Sequence, residues 1–448
     1  MAEELELEPY QVTGKNFLLE GNRLLADDMG LGKTVQSLAA AEEIVERETY
    51  RKIVMVIPKK SAVTQWRREI EKWQKDDRSI QVLDTNSSIE KADYTLTNYG
   101  SLYYRDVDGF PKFNILIVDE SHFIKNKSAK RSGLVKKLAR KADYVWLLTG
   151  TPMPNGPKDL WSQLNCLSYP DFSSYWDWCE EYLSVWHNGF GLEVGGLRRG
   201  RKKAFGKMLD KWMLRRTRDI LDLPDITFQD VYISLTDEQR DIYEDLEDKM
   251  IAMIGDDLKV TSNQLAQLTA LRQVTNDPIL LSDNAKNDGG KMEWFKDHLD
   301  DLAINSGKKV IIFSMFSTYV KHLHDHFGGA IVTGDMSSKA RDKELDKFKN
   351  DNDCHLFFAT IGAAGESLNL PEATYVIFCD LPWTPAAIRQ AYSRAHRRGQ
   401  TKNVHVIKLL AENTVDEYMS QIVDQKDKQI SKAMATRKLV QRIKEKRR

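Results

Sequence analysis

Short apolar runs rich in valine and isoleucine recur along the chain, separated by stretches with helical spacing. In the first half they occupy residues 53–57, 115–118 and 144–148, and in the second half residues 310–313, 356–359 and 375–378. An unbroken apolar run of this length reads as a strand buried on both faces, the condition of a parallel sheet covered by helices. Two such series predict an α/β protein with two domains, residues 1–225 and 226–448. The pattern changes between them. Residues 156–220 contain Trp161, Trp176, Trp178, Trp186 and Trp212 and show no clear strand, so they are expected to be a helical insertion packed through its tryptophans. Residues 236–285 read as a second helical insertion, with Thr236 as its N-cap. Residues 284–290 read as a loop leading into the second sheet, and the last thirty or so as a polar, basic helix.

A length of 448 residues suits two domains of about 200 each. No apolar run approaches the roughly 20 residues of a membrane span. The acidic first ten residues hold no apolar signal core. A soluble protein, cytoplasmic or nucleoid-associated, is therefore expected. The 66 basic and 66 acidic residues cancel, so only local charge can speak for nucleic acid. Two runs are basic, residues 198–203 and 437–448, and each reads as a phosphate contact or as a solvated surface. Cys166, Cys179, Cys354 and Cys379 form no C-x-x-C pair, which argues against a disulfide framework or a zinc site. His322 and His326 share a helix face, but no third metal ligand is evident near them, and a solvated helix is the expected reading.

Three motifs carry chemistry. Residues 26–34, Ala-Asp-Asp-Met-Gly-Leu-Gly-Lys-Thr, follow a short apolar stretch and precede a helical pattern. Strand, glycine loop, Lys-Thr and helix make a phosphate cradle. Asp28, Met29, Gly30, Leu31 and Gly32 form its wall, Lys33 reaches the β- and γ-phosphates of ATP, and Thr34 ligates Mg²⁺. Asp27 stands where the general pattern has its first glycine. The apolar run 115–118 then ends in Asp119-Glu120, where Asp119 can hold Mg²⁺ and Glu120 can orient the attacking water. An isolated Asp-Glu pair more often caps a helix. Far downstream, Arg394 and Arg397 are spaced i,i+3, so on a helix they share a face and can act as an arginine finger; alone they would read as a surface patch. Together the three motifs predict an ATP-driven clamp that moves a polymer.

In this order the motifs resemble the Swi/Snf-type ATPases of helicase superfamily 2, over roughly residues 5–420. Pro9-Tyr10-Gln11 resembles the family's adenine-reading motif. Residues 28–34 resemble motif I, in which Asp27 is normal. Gln65-Trp66 through Lys72-Trp73 resembles the segment after motif Ia, and Asp119-Glu120-Ser121-His122 the Asp-Glu-x-His box. Residues 148–152 with Asn155 resemble motif III. Residues 213–217 and Leu271-Arg272-Gln273 resemble signatures of this family in particular. Gly365 to Leu370 resembles motif V, and Trp383-Thr384-Pro385 the Trp-Asn-Pro beside DNA. Asp28, Ser121, Pro154, Ala364, Ser367 and Thr384 depart from the usual residues. The resemblance implies two RecA-like lobes, ATP and Mg²⁺ as cofactors, and DNA-stimulated hydrolysis with translocation on duplex DNA. Tyr10, Gln11 and Gly365 join the nucleotide contacts. Lys59, Lys60, Thr97 and Asn98 on the first lobe, and Ser314, Thr360 and Trp383 on the second, are the expected DNA contacts. The economical architecture resembles compact members from bacteria, archaea and phages and the fork-remodelling branch. A monomeric translocase acting on double-stranded or branched DNA, as at forks and Holliday junctions, is the leading expectation. A motor that strips proteins such as RNA polymerase from DNA, or an ATP-switched DNA scaffold, are the alternatives.

Overall fold

The predicted strands pair into two parallel sheets. The computed structural model describes residues 6–47, 54–74, 76–85, 87–90, 92–110, 112–189, 191–254, 262–281, 288–364 and 368–424. The chain divides into two compact units, residues 1–221 and 222–448.

In the first unit the strands are β1 (Arg23–Leu25), β2 (Val54–Ile57), β3 (Ile80–Val82), β4 (Tyr94–Leu96), β5 (Phe113–Asp119), β6 (Ala142–Leu148), β7 (Leu183–His187), β8 (Leu192–Leu197) and β9 (Met213–Leu214). Seven of them form one sheet in the order β3-β4-β2-β5-β6-β1-β9, and every described pairing in it is parallel. The alternation along β5 shows how the sheet is buried. Leu116 and Val118 join one apolar core, and Ile115 and Ile117 join another on the opposite face. Helices such as Lys33–Arg47 and Val63–Trp73 cover the sheet.

In the second unit the strands are β10 (Ile226–Ile233), β11 (Lys309–Ser314), β12 (Ala330–Val332), β13 (Leu356–Thr360), β14 (Ala373–Phe378) and β15 (Val404–Ala411). Their order is β10-β15-β14-β11-β13-β12, again with all described pairings parallel. Ile311 and Phe313 of β11 face one core, and Val310 and Ile312 the other. In a parallel sheet all strands leave at the same edge, so the segments after β1, β5 and β6 share one edge of the first sheet, and those after β11, β13 and β14 one edge of the second.

Two expectations are corrected. Residues 156–220 are not purely helical. β7 and β8 form an antiparallel hairpin between the helices Tyr175–Tyr182 and Lys202–Trp212, and β9 adds a strand to the sheet. Two glycines in β8 and two in the turn, Gly189 and Gly191, had masked the hairpin's alternation. Trp161, Trp178 and Trp212 pack in the core as expected, but Trp176 and Trp186 are exposed. Further on, the helix Gly290–Leu302 precedes β11, so Gly290 opens a helix rather than closing a loop. Residues 236–281 form the helices Asp237–Ile254 and Ser262–Val274 and the short turn Pro278–Leu280. The basic run 437–448 lies outside the described residues.

Candidate functional site

The loop after β1 is held open by its own residue types. Gly30 and Gly32 have φ of 89° and 71°, a region that glycine enters without steric cost. A Cβ on Gly32 would also collide with the side-chain amide nitrogen of Gln11. Gln11 is 5% exposed and completes a capping box with Glu8 at the start of the helix Pro9–Leu19. This fixes the Gln11 amide against the glycine loop. Lys33, the first residue of the helix Lys33–Arg47, turns back and donates to the carbonyls of Asp27 (2.7 Å) and Asp28 (3.2 Å). Burial pulls the Lys33 ammonium below its usual range, against the opposing pull of Glu120, Asp27, Asp119 and Asp28. Thr34 occupies the first turn of the same helix.

Asp27, puzzling as a substitute for glycine, has a structural role. It is fully buried, and Arg216 donates to it through Nε (2.9 Å), through its backbone amide (3.1 Å) and through a second guanidinium nitrogen. Arg216 also reaches the Tyr10 carbonyl and Gln36 Oε1, and stacks over the Tyr10 ring. The carbonyls of Leu214 and Arg216 accept the amides of Ala26 and Asp28, and Arg218 Nε donates to Met29 O. The segment 213–218 is thus a brace laid along the glycine loop. The sequence marked it as a signature without revealing its partner, which lies 189 residues away.

At the end of β5, Asp119 accepts from the Trp66 indole (2.9 Å) and from the Glu120 amide (2.9 Å), while Tyr99 O–H donates to its carbonyl (2.7 Å). Trp66 and Tyr99 are positioning residues; the sequence marked Trp66 only as part of a family segment and did not mark Tyr99. Glu120 adopts left-handed backbone, φ 49° and ψ 48°. Its Oε2 lies 3.2 Å from His122 Nδ1 yet is buried with no hydrogen bond of good geometry. His122 Nδ1 in turn approaches the hydroxyls of Thr149 (3.0 Å) and Thr151 (3.4 Å), linking the carboxylate to the segment after β6. Burial, reinforced by the Glu120 charge, raises the Asp119 carboxyl above the usual range. Burial also opposes ionisation of Glu120, but His122, Lys59 and Lys33 outweigh it and hold Glu120 below the usual range. Ser121, unusual at its position, is buried and donates to Gln163 (2.8 Å).

These features fit a Mg²⁺–nucleotide. The two adjacent half-buried carboxylates hold excess negative charge, and a cradle of left-handed glycines faces the helix N-terminus.

The expected DNA contacts divide by exposure. Lys60 is exposed; Lys59 is half-buried, its ammonium 4.9 Å from the Phe123 ring centroid. Thr97 and Ser314 are fully buried, with Thr97 Oγ1 donating to Leu83 O (3.4 Å) and Ser314 Oγ to Asp380. Asn98 is spent on the following turn, accepting from Gly100 and Ser101, and Thr360 Oγ1 accepts from the Ala363 amide (3.3 Å). Both are mostly buried. Trp383 is half-buried, and the Arg272 guanidinium lies 5.4 Å from its ring centroid and 5.8 Å from that of Phe316. Thr384, departing from Asn, still caps the helix Pro385–Tyr392.

Behind this edge lies a closed polar network. Asp380 accepts from Ser314, the Met315 amide (3.0 Å) and Asn276 (3.0 Å), and sits 3.6 Å from Arg272. Fully buried Lys291 donates to Asn276 (3.2 Å), Cys379 O (2.6 Å) and Asp416. Arg394 and Arg397 are corrected in their local structure. The helix ends at Tyr392, so they do not share a helix face. Turns nevertheless bring both guanidinium groups to one carbonyl, that of Leu368, at 3.5 and 3.3 Å. Gly365 lies outside the described residues. His322 has carboxylates near it that its sequence neighbourhood did not reveal. Asp277 and Asp288 offer oxygens within 4.8 Å of its ring nitrogen. Asp277 already accepts from the Ile279 and Gly289 amides, and Asp288 from Lys296.

Residues 10–280 match the SNF2-related domain, and residues 290–399 the helicase conserved C-terminal domain. The human DNA annealing helicase and endonuclease ZRANB3 is 28% identical over 446 residues, covering 94% of this chain and 40% of that protein. The Saccharomyces cerevisiae ISWI chromatin-remodeling complex ATPase ISW2 is 28% identical over 465 residues, covering 94% of this chain and 40% of that protein. The chain therefore spans well under two thirds of the length of these relatives. A solved Sulfolobus solfataricus SWI2/SNF2 ATPase core in complex with dsDNA is 27% identical, covers 93% of this chain and 90% of its own, and has a TM-score of 0.45. With the SNF2-related domain matched over more than half its length, the chain belongs to the SNF2-related family of ATP-hydrolysing enzymes.

Proposed function

We propose that this enzyme is a DNA-dependent ATPase that translocates on double-stranded DNA and remodels branched DNA, such as forks and four-way junctions. The observation that carries the chemistry is the Glu120 carboxylate just past the end of β5, beside Asp119, with its Oε2 3.2 Å from His122 Nδ1 and within the electrostatic reach of Lys33. In this reading Lys33 and the amides of residues 29–34 hold the β- and γ-phosphates of ATP, with Tyr10 and Gln11 on the side of the base. Thr34 and Asp119 would hold Mg²⁺, which supplies neutralisation of phosphate charge when bound. Glu120 orients the attacking water, and Arg394 and Arg397 stabilise charge that develops in the transition state. Lys60 and Trp383 are the DNA contacts that the exposures favour.

The DNA annealing helicase among the relatives supports a substrate with unpaired or branched strands. The chromatin-remodelling ATPase favours a second reading, in which the same motor displaces proteins from DNA. Multiple-turnover ATPase assays without DNA and with linear, forked and four-way DNA of equal length test both. The first reading expects stimulation by duplex and a further increase on branched substrates. Equal stimulation by linear and branched DNA, with release of a bound protein roadblock, favours the second. Turnover indifferent to DNA overturns both and leaves an ATP-switched scaffold.

A further inference from the structure

The β7–β8 hairpin has two different faces. Val185 and Val194 pack inward on the core of the first unit. The outward face carries Trp186, paired in register with Glu193 and seated against Gly195, where a Cβ would strike the indole. Trp186 remains 47% exposed, and Leu192 and Leu197 at the two ends of β8 are 52% and 37% exposed. The basic run follows at once. Arg198 anchors it by donating to Glu180 O (3.0 Å). Arg199, Arg201, Lys202 and Lys203 are all exposed, and none of them has an ion-pair partner among the described residues. The run ends in the first turn of the helix Lys202–Trp212, whose free amides also favour an anion. The acidic groups nearby are few: Glu193, which accepts from Asn188 (2.7 Å), and Glu180 and Glu181 at the end of the preceding helix.

We propose that this hairpin and its basic run are a DNA-junction contact of the first unit, distinct from the nucleotide-holding residues. The cations take phosphates of a duplex arm, and Trp186 stacks on an unpaired or terminal base. The inference rests on the reading that DNA is the enzyme's activator. DNA is the occupant that the chemistry favours. Four uncompensated cations within five residues call for a polyanion, and one tryptophan with two leucines is too little apolar area for a stable protein interface. An exposed ring beside a phosphate-holding run is the arrangement that binds unpaired nucleotides.

The test uses the full chain in fluorescence-anisotropy titrations on linear, forked and four-way DNA across several salt concentrations. The quadruple variant Arg199→Ala, Arg201→Ala, Lys202→Ala, Lys203→Ala is expected to lower the log–log salt slope by about 3 to 4 on branched DNA, at about 0.9 per phosphate. Trp186→Ala is expected to weaken forked and four-way binding about tenfold while sparing linear duplex, and Trp186→Phe to restore most of it. Both changes lie on the surface, so thermal melts should match wild type. An unchanged slope and unchanged affinities would overturn the proposal, as would a Trp186→Ala loss equal on linear and branched DNA. A hairpin that serves a protein partner instead gives that same unchanged DNA binding. If wild-type turnover ignores linear, forked and four-way DNA alike, the underlying DNA-dependent reading fails, a separate result from failure of the hairpin variants on an enzyme that DNA does stimulate.

Discussion

Glu120 sits in a conformation that few non-glycine residues adopt, and this places its carboxylate beyond the last paired residue of β5. Left-handed backbone at such a residue costs on the order of 1 kcal/mol and persists where surrounding structure fixes it; here the Asp119 carboxylate takes the Glu120 amide. Glu120→Gln keeps the shape and removes the charge. It is expected to lower DNA-stimulated ATP turnover about a thousandfold or more, with an unchanged thermal melt. Lys33→Ala should lose a similar factor through lost phosphate contacts. Turnover within about tenfold of wild type in either variant would break the assignment. Arg216 makes a different demand, because removing it strands buried Asp27. Arg216→Ala should destabilise the first unit by about 3 kcal/mol, and adding Asp27→Ala should recover much of that, since the penalty is an uncompensated buried charge. Denaturant melts of the two single variants and the double variant measure the coupling. Additive losses would show that the pair does not act as a unit.

At the scale of elements, the second unit is tied together where its strand ends meet its helices. Lys291 opens the helix Gly290–Leu302, Asp416 lies at the start of Val415–Asp424, Asn276 follows Ser262–Val274, and Cys379-Asp380 follow β14. Lys291→Met leaves Asp416 unpaired and buried, and is expected to cost about 3 to 5 kcal/mol in a denaturant melt. Lys291→Met with Asp416→Leu should fall closer to wild type; an equal loss would mean that packing rather than charge balance dominates. The sequence made β2, β5, β6, β11, β13 and β14 legible because their apolar runs are unbroken, as burial on both faces requires. It hid β10, an edge strand with mostly exposed side chains, and β3, β4 and β12, which are three residues each. β15 was hidden by Lys408, which is 7% exposed and faces Asp230 at 3.3 Å across the pair of strands. Lys33, Asp119 and Glu120 were legible because phosphate chemistry ties residue type to a local spacing. Arg216 on Asp27, Trp66 on Asp119 and Lys291 on Asp416 were not, because each pair joins positions that no local pattern links. The burial of Ser314 and Thr97 was hidden for the related reason that a strand-end position does not reveal whether its hydroxyl faces solvent.

At the scale of the whole molecule, the proposed cycle makes demands on both units. Arg394 and Arg397 belong to the second unit, and both guanidinium groups reach the Leu368 carbonyl. A group that acts on the transition state lowers the barrier without tightening ground-state binding. Arg397→Ala should therefore leave nucleotide affinity near wild type and reduce turnover about a thousandfold, with Arg394→Ala milder. Weakened ATP binding with intact turnover at saturation would contradict the finger role. Movement along DNA also requires phosphate contacts that hold without reading sequence. The two lysines after β2 differ in this respect. Lys60 is exposed, while Lys59 lies over Phe123 and within the electrostatic reach of Glu120. A lysine already drawn toward a half-buried carboxylate has less charge to offer a distant phosphate. Lys60→Ala is therefore expected to reduce the log–log salt slope of DNA binding by about 0.9 and to weaken binding alike on unrelated sequences. Lys59→Ala should leave that slope near wild type and instead lower turnover, through the loss of a positive charge beside the Glu120 carboxylate. Titrations of both variants at several salt concentrations, paired with saturating-ATP rates, separate the two roles. If Lys59→Ala changes the slope and Lys60→Ala does not, the DNA path runs along the face of Lys59 instead.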